Sequence, residues 1–304
     1  MPGSTKGGYI MGKMLDSNVI TREYFDSILV EARYFDSDLP CMETEFFGEK
    51  FETPITSAAL SHLFNVCEGG PVKMARQVSA AGALHWTGIG EKEELEDILA
   101  TGARTVKVIK PHADDQIIFD KIDHACRSGA FAVGMDIDHC FDSKGRYDMV
   151  GDLPMRPKTT DQLREYVRRS TRPFIVKGVL SVADAKKCAQ AGVQGIVVSH
   201  HHGILPGAVP PLMVLPEIRK AVGDQLTIFA DCGFESGLDA FKALALGADG
   251  VMVGRELMKH LPGEEGAVTA RLREMTGELA SVMARCGFTS LEQIDPSVLH
   301  FWKR

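Results

Sequence analysis

The sequence predicts an α/β protein: a single (β/α)8 TIM barrel with an N-terminal helical arm and a C-terminal helix. Three observations lead there. Short β-branched runs alternate with helical patterns, and eight of them can be placed, near Pro54, Ala83, Thr105, Ala130, Phe174, Gly195, Thr227 and Gly250. That alternation specifies parallel strands joined by helices, and eight such strands favour a closed barrel over an open sheet. The clearest stretch, residues 173–257, repeats the strand–loop–helix unit three times in succession. Finally, 304 residues with 44% apolar side chains suit one barrel domain, residues 53–304, behind a lead-in of residues 1–52.

The elements follow in order. Residues 1–20 have little pattern and are expected to form a loose arm. TREYFDSILVEARYFDS, from Thr21, reads as a helix with Thr21 as its N-cap. Around Phe46 and Phe51 the sequence suggests a hairpin with Gly48 in its turn. Residues 54–58 read as the first barrel strand. Helices are then expected over 68–81, 92–100 and 114–128, and strands over 83–86, 105–109 and 130–137. Residues 145–159 are rich in Gly and Pro and read as a loop. A helix over 160–170 leads into the strand that begins at Phe174. After Leu257, residues 264–285 form one long amphipathic pattern, and 290–294 start a short helix.

Composition removes several classes of function. No apolar run approaches the ~20 residues of a membrane helix. The first fifteen residues lack the apolar segment of a secretory signal. A net charge of −7 disfavours nucleic acid as a partner. Seven scattered cysteines without a CxxC pair suggest reduced thiols and a cytoplasmic protein.

The residues at the ends of the strands carry the chemistry, because that face of a barrel is the catalytic one. Lys177 follows the apolar run PFIV, and Asp138 ends AVGMDID. A lysine there could stabilise an anion, form a Schiff base or act as an acid; its ordinary role is an ion pair at a loop mouth. The run Ser199-His200-His201-His202-Gly203 suggests metal at first sight. Successive residues leaving a strand point in different directions, so the three cannot share one ion. A general base is the better reading of one of them. Asp231-Cys232-Gly233 and Gly254-Arg255 supply glycines and a cation after the seventh and eighth strands, where barrels commonly hold phosphate.

These motifs together resemble the FMN-dependent α-hydroxy-acid oxidase and dehydrogenase family. PFIVKGVLSVADAKKCAQAGVQGIVVS and DAFKALALGADGVMVGREL are similar to the family's fifth-to-sixth-strand and eighth-strand segments. TEFFGEKFETPI and VSAAGA resemble its approaches to the first and second strands. The resemblance implies an FMN cofactor and oxidation of a hydroxylated small molecule. It places His201 on the catalytic base, Asp138 on the aspartate that orients it, and Lys177 on the lysine at the flavin N1–C2=O edge. Ser199, with His200 in place of an asparagine, falls within the family's histidine motif. Asp231, Gly233, Gly254 and Arg255 fall on its ribose and phosphate loops. Lys107 and Asp136 fall on a glutamine and a threonine that contact the flavin. A homo-oligomer, plausibly a tetramer, is implied as well.

The departures concern the substrate. Ile204 stands where the family has an arginine after its histidine, Phe141 where it has a second one, and Ile109 or a neighbour where it has a tyrosine. Glu235 replaces an arginine after Asp231-Cys232-Gly233. An unpaired carboxylate is costly to bury, so these changes predict an atypical substrate, with His200, His202 and Arg146 left to hold an anion. Two other readings stay open. One is a flavin-free lyase or isomerase of a phosphorylated substrate with Lys177 as Schiff-base lysine. The other is a barrel that binds FMN or a partner without catalysis.

Overall fold

The computed structural model describes residues 15–302. The barrel strands are β1 (Ile55–Ser57), β2 (His85–Thr87), β3 (Thr105–Ile109), β4 (Ala132–Asp136), β5 (Phe174–Val179), β6 (Gly195–Val198), β7 (Thr227–Ala230) and β8 (Gly250–Val253). Between and after them run α1 (Gly70–Ala80), α2 (Lys92–Ala100), α3 (Asp115–Arg127), α4 (Thr160–Arg169), α5 (Val182–Ala191), α6 (Pro211–Val222), α7 (Gly237–Ala245) and α8 (Ala267–Arg285). All ladder contacts within the barrel are parallel, in the order β1-β8-β7-β6-β5-β4-β3-β2. The ring closes between β1 and β2, where the Ser57 N–H donates to the Leu84 carbonyl at 3.1 Å and Leu60 bridges Thr87.

Side chains alternate along each strand, so one register points into the lumen and the other toward the helices. Trp86, Val106, Val108, Ala132, Ile175, Val197, Phe229 and Met252 fill the lumen. Its lower end is plugged by the expected hairpin, Thr44–Phe46 with Glu49–Phe51. Phe47 and Gly48 both take positive φ (51° and 84°), as a tight two-residue hairpin turn requires. Phe46 packs on Phe229 with ring centroids 4.9 Å apart. The plug explains the glycine that opens β8. A Cβ on Gly250 would lie 2.8 Å from the Phe46 ring, and at Gly195 one would lie 3.0 Å from Phe47. Aromatic filling from below leaves the carboxyl ends of the strands as the open face.

The N-terminal region departs from expectation. The helix spans Ser17–Ser27, four residues earlier, and Asp16 caps it by accepting from the Asn18 N–H. Thr21 is a buried residue within it, not the cap. Residues 28–30, expected to be helical, form a strand that pairs antiparallel with Leu299–Phe301. The β-branched and branched trio Ile-Leu-Val prefers that pairing to a helix continuing into Glu31. Residues 1–14 of the expected arm lie outside the described residues. The loop over 145–159 contains a minimal hairpin, Met149–Val150 with Leu153–Pro154. Helix α8 starts at Ala267, after Gly266 at φ 90°, and α8 seats on α1 through the Gln77 side chain, which accepts from the Val268 N–H at 2.9 Å.

On the outward register of β2, His85 is 1% exposed and its Nδ1 shares a 3.2 Å hydrogen bond with Thr105 Oγ1. Burial pushes its pKa down to about 3. A folded-state pKa below the unfolded one means that the unfolded chain takes up the proton first. Stability from this group is therefore full above the unfolded value near 6.5 and falls as pH drops toward 3. Between pH 7.5 and 5 this amounts to about 2 kcal/mol. Urea midpoints of wild type and His85→Asn over that range are expected to converge toward pH 5, and parallel pH profiles would show that His85 is not the titrating group.

Candidate active site

Extending the lumen register upward by steps of two reaches one residue on each of six strands, β3 to β8. From Val108 comes Lys110, from Ala132 comes Asp136, from Ile175 Lys177, from Val197 Ser199, from Phe229 Asp231, and from Met252 Gly254. Polar groups here follow from position: the aromatic plug ends below them and a cavity of about 530 Å³ opens above. Lys110, His139, Lys177, His201, Asp231, Gly233, Gly254 and Arg255 are all in its wall, with Ala58, Ala59 and Met252 as an apolar floor. Asp136, Asp138 and Ser199 stand just behind that wall.

The central group is an imidazole held by carboxylate. His201 Nδ1 lies 2.8 Å from Asp138 Oδ1. An ionised carboxylate only accepts, so Nδ1 carries the hydrogen and Nε2 keeps its lone pair. Asp138 reaches this position because of Gly178. That glycine has φ 93°, and a Cβ on it would lie 2.4 Å from Asp138 Oδ2. The same residue marks a register shift in the β5–β6 ladder. The Ser199 Oγ accepts from the His201 N–H at 3.0 Å and donates to Asp231 Oδ2 at 3.2 Å.

Beneath His201 lies an ionic cluster. Asp136 is 3% exposed. Its Oδ2 accepts from Lys110 Nζ at 2.6 Å, and its Oδ1 is 3.2 Å from Lys177 Nζ. Burial alone would raise the Asp136 pKa, but Lys177 and then Lys110 more than offset it and hold it well below the ordinary carboxylate range. Lys177 is the mirror case. Burial opposes its charge, and Asp136, Asp231 and Asp138 outweigh burial, so its pKa is raised. A Schiff-base lysine must shed its proton to attack, so the cluster works against the lyase reading of Lys177.

Lys107 does not join the site. It lies on the outward register of β3, and its Nζ donates to the Gly88 carbonyl at 2.5 Å behind the barrel wall. Burial lowers its pKa to about 8. The expectation for Lys107 fails because the strand alternates: a shift of one residue changes the face. Asp136, expected to contact flavin, carries two lysines, Lys110 and Lys177. Three residues proposed for an anion have partners of their own, although His202 is also in the cavity wall. Arg146 is exposed and pairs with Asp142 at 2.7 Å. His200 turns inward to Thr21 Oγ1 at 2.8 Å. His202 Nδ1 sits 2.8 Å from Asn18 Oδ1. Neither Ile204 nor Phe141 is in the cavity wall.

The far end of the cavity is formed by Gly233, Phe234, Glu235, Gly254 and Arg255. Arg22, on the N-terminal helix, donates to the Gly233 carbonyl at 3.3 Å and makes a two-point pair with Asp239. Arg255 is exposed, with one described bond, Nη2 to Asn18 Oδ1 at 3.1 Å. Sequence reasoning missed Lys110, His139, Gly178 and Asn18. The period-two pattern Val106, Val108, Lys110 was a usable signal for the first.

A model of the FMN-dependent dehydrogenase family matches residues 9–169 and 157–301. The chain belongs to this family. It is 45% identical over 129 residues to an L-lactate dehydrogenase of Caulobacter sp. (strain K31), and 29% identical over 293 residues to glycolate oxidase of Spinacia oleracea. The first match covers 42% of this chain and about a third (34%) of the relative's length; the second covers 84% and 79%. A crystal structure of mandelate oxidase with (S)-2-phenylpropionate superposes with a TM-score of 0.86 at 27% identity, covering 95% of this chain and 91% of that one. Another mandelate oxidase structure contains an FMN adduct.

FMN needs a flat apolar seat, a cation near its ring and a small-residue cradle with positive charge for its phosphate. The cavity offers each. Ala58, Ala59 and Met252 give the floor, Lys177 the buried cation, and Gly233, Gly254 and Arg255 the far end. Glu235 is the misfit. It is exposed, in the cavity wall, and replaces a cation of the family pattern. Loss of one charge-assisted contact in Arg255→Ala is expected to weaken FMN binding about 10-fold. Removal of the repulsion in Glu235→Gln is expected to tighten it. Fluorescence titration of apoprotein with FMN checks both, and wild-type affinity in both variants would exclude this end of the cavity from phosphate binding.

Proposed function

We propose that the protein oxidises the CH–OH group of a small 2-hydroxy acid, with FMN as its cofactor. The observation that carries this reading is the His201–Asp138 pair, 2.8 Å apart, with His201 in the wall of a cavity that also holds Lys177 and the glycine loops. Relatives named for lactate, glycolate and mandelate share the 2-hydroxy acid unit.

His201 takes the proton from the substrate hydroxyl at Nε2. Asp138 fixes the ring and stabilises the imidazolium that results. Bound in the cavity, FMN supplies the acceptor for the two electrons and the hydrogen leaving the substrate carbon. Lys177 stays an ammonium and offsets negative charge at the cavity floor. Ser199 ties the His201 N–H to Asp231, so ring and loop are fixed together. Four of the six non-glycine residues with positive φ among the described residues, His62, His201, His202 and Cys232, are in this one cavity wall. Such conformations cost of order 1 kcal/mol or more each and persist where the surroundings impose them.

Seven free thiols support a reducing, cytoplasmic setting. No helix among the described residues is long and apolar enough to cross a membrane. The family and the long α8 support a homo-oligomer.

In FMN-loaded protein, anaerobic addition of 2-hydroxy acids is expected to bleach the flavin band. His201→Ala should slow bleaching by about 10²–10⁴-fold with FMN still bound. Bleaching at the wild-type rate would remove His201 from the reaction, and no bleaching of wild type by any 2-hydroxy acid would overturn the proposed activity.

A further inference from the structure

The missing arginines leave an anionic substrate without an obvious partner, yet the cavity is not short of cations. Each has a different degree of freedom. Lys177 lies among Asp136, Asp231 and Asp138. His139 looks suitable, with its ring edge-on to His201 at a centroid distance of 4.7 Å. Its Nδ1, however, lies 2.9 Å from the acceptor Asp148 Oδ2, so a neutral His139 shows only a lone pair at Nε2 and cannot donate to an anion. His202 and Arg255 are both held by Asn18 at the far end.

Lys110 is different. It is 7% exposed, in the cavity wall, and has one described hydrogen bond, to Asp136 Oδ2 at 2.6 Å. An ammonium has three donors. Two of them have no partner among the described residues. Asp136 is shared between Lys110 and Lys177, and Lys177 also has Asp231 and Asp138 beside it, so the pull on an anion comes from Lys110 and its two unpartnered donors. Burial excludes competing water, which strengthens attraction to an incoming anion.

We propose that Lys110 binds the carboxylate of the substrate, as a single-point cation in place of a guanidinium pair. This rests on the oxidation proposed above and names the residue that selects the acid. With the carboxylate on Lys110, the hydroxyl of the adjacent carbon is offered to His201, which shares Asp136 as a neighbour: His201 Nδ1 is 3.6 Å from Asp136 Oδ1. A lysine is a point charge without the planar fork of arginine. The acid is thus recognised by charge, with little selection of carboxylate orientation. Asp136 acts as a positioning residue that holds the lysine stem and moderates its field.

The test uses FMN-loaded protein and calorimetric titration with pyruvate and its neutral amide, pyruvamide, so it reads binding without turnover. Wild type is expected to bind pyruvate at least 10-fold more tightly than pyruvamide. Lys110→Met should lose about 10–100-fold in pyruvate affinity with pyruvamide within 3-fold. Lys110→Arg should keep most of the preference. Asp136→Asn, which frees the lysine's charge, should bind pyruvate as tightly as wild type or more so. Because Lys110→Met leaves Asp136 with Lys177 alone, the double variant Lys110→Met/Asp136→Asn removes the Lys110–Asp136 pair together and leaves Lys177 to Asp231, and it should match the single variant in lost preference. An unchanged pyruvate-to-pyruvamide ratio in both methionine variants overturns the proposal. So does a wild type without the preference. Failure of 2-hydroxy acids to bleach the flavin would overturn the oxidation and leave this ratio as an independent measure of the anion site.

Discussion

The site depends on one buried carboxylate. Asp136 points into a lumen that is aromatic below it, where an isolated charge would be prohibitive. It stands there only because two ammonium groups reach it from β3 and β5. Removal of either lysine would leave the cluster unbalanced, so Lys110, Asp136 and Lys177 are one unit and not three residues. The consequences run in both directions. Asp136 keeps Lys177 charged and non-nucleophilic, which restricts the chemistry to electrostatic stabilisation. It also holds Lys110, which is in the cavity wall.

Much of this was legible from the sequence, and the failures follow a pattern. The eight strands and their helices could be read because short β-branched runs and 3.6-residue patterns alternate without a break. His201, Asp138 and Lys177 were placed together by motif, and the structure brings their side chains within hydrogen-bonding reach of one another. Lys107 was misplaced by one residue, which on a strand is the difference between lumen and outer face. Lys110 was invisible to motif matching because it belongs to no motif; only the register counted upward from Val106 and Val108 leads to it. Gly178 could not have been read as the seat of Asp138, since that clearance depends on a bulge between two strands forty residues from the aspartate. The partners of the anion candidates His200, His202 and Arg146 were hidden for a similar reason. Each finds a local partner, and partners are tertiary facts.

The N-terminal helix was read as beginning at Thr21, and the correction has mechanistic weight. Its apolar pattern is weak because its buried face is used for polar contacts. Thr21 meets His200, Arg22 meets Asp239 and the Gly233 carbonyl, and Asn18 meets both His202 and Arg255. The Ser17 Oγ donates to the Leu205 carbonyl and accepts from the Ala208 N–H. Its apolar contacts are Phe25, edge-on to Phe234 at 5.1 Å, and Tyr24, packed against Phe301 at 6.3 Å.

Those polar contacts fall on the two loops that need support. His201, His202 and Cys232 hold left-handed backbone without being glycine, and a free loop would relax out of it. Bonds to a helix fix both loops from outside, where no cofactor or substrate competes for the space. Asn18 goes further, since a single amide joins the histidine loop to the arginine at the far end of the cavity. The position of the catalytic imidazole and that of the distal cation are therefore set by the same helix. That helix contributes no wall to the cavity, yet a shift of one turn in it would move both ends at once.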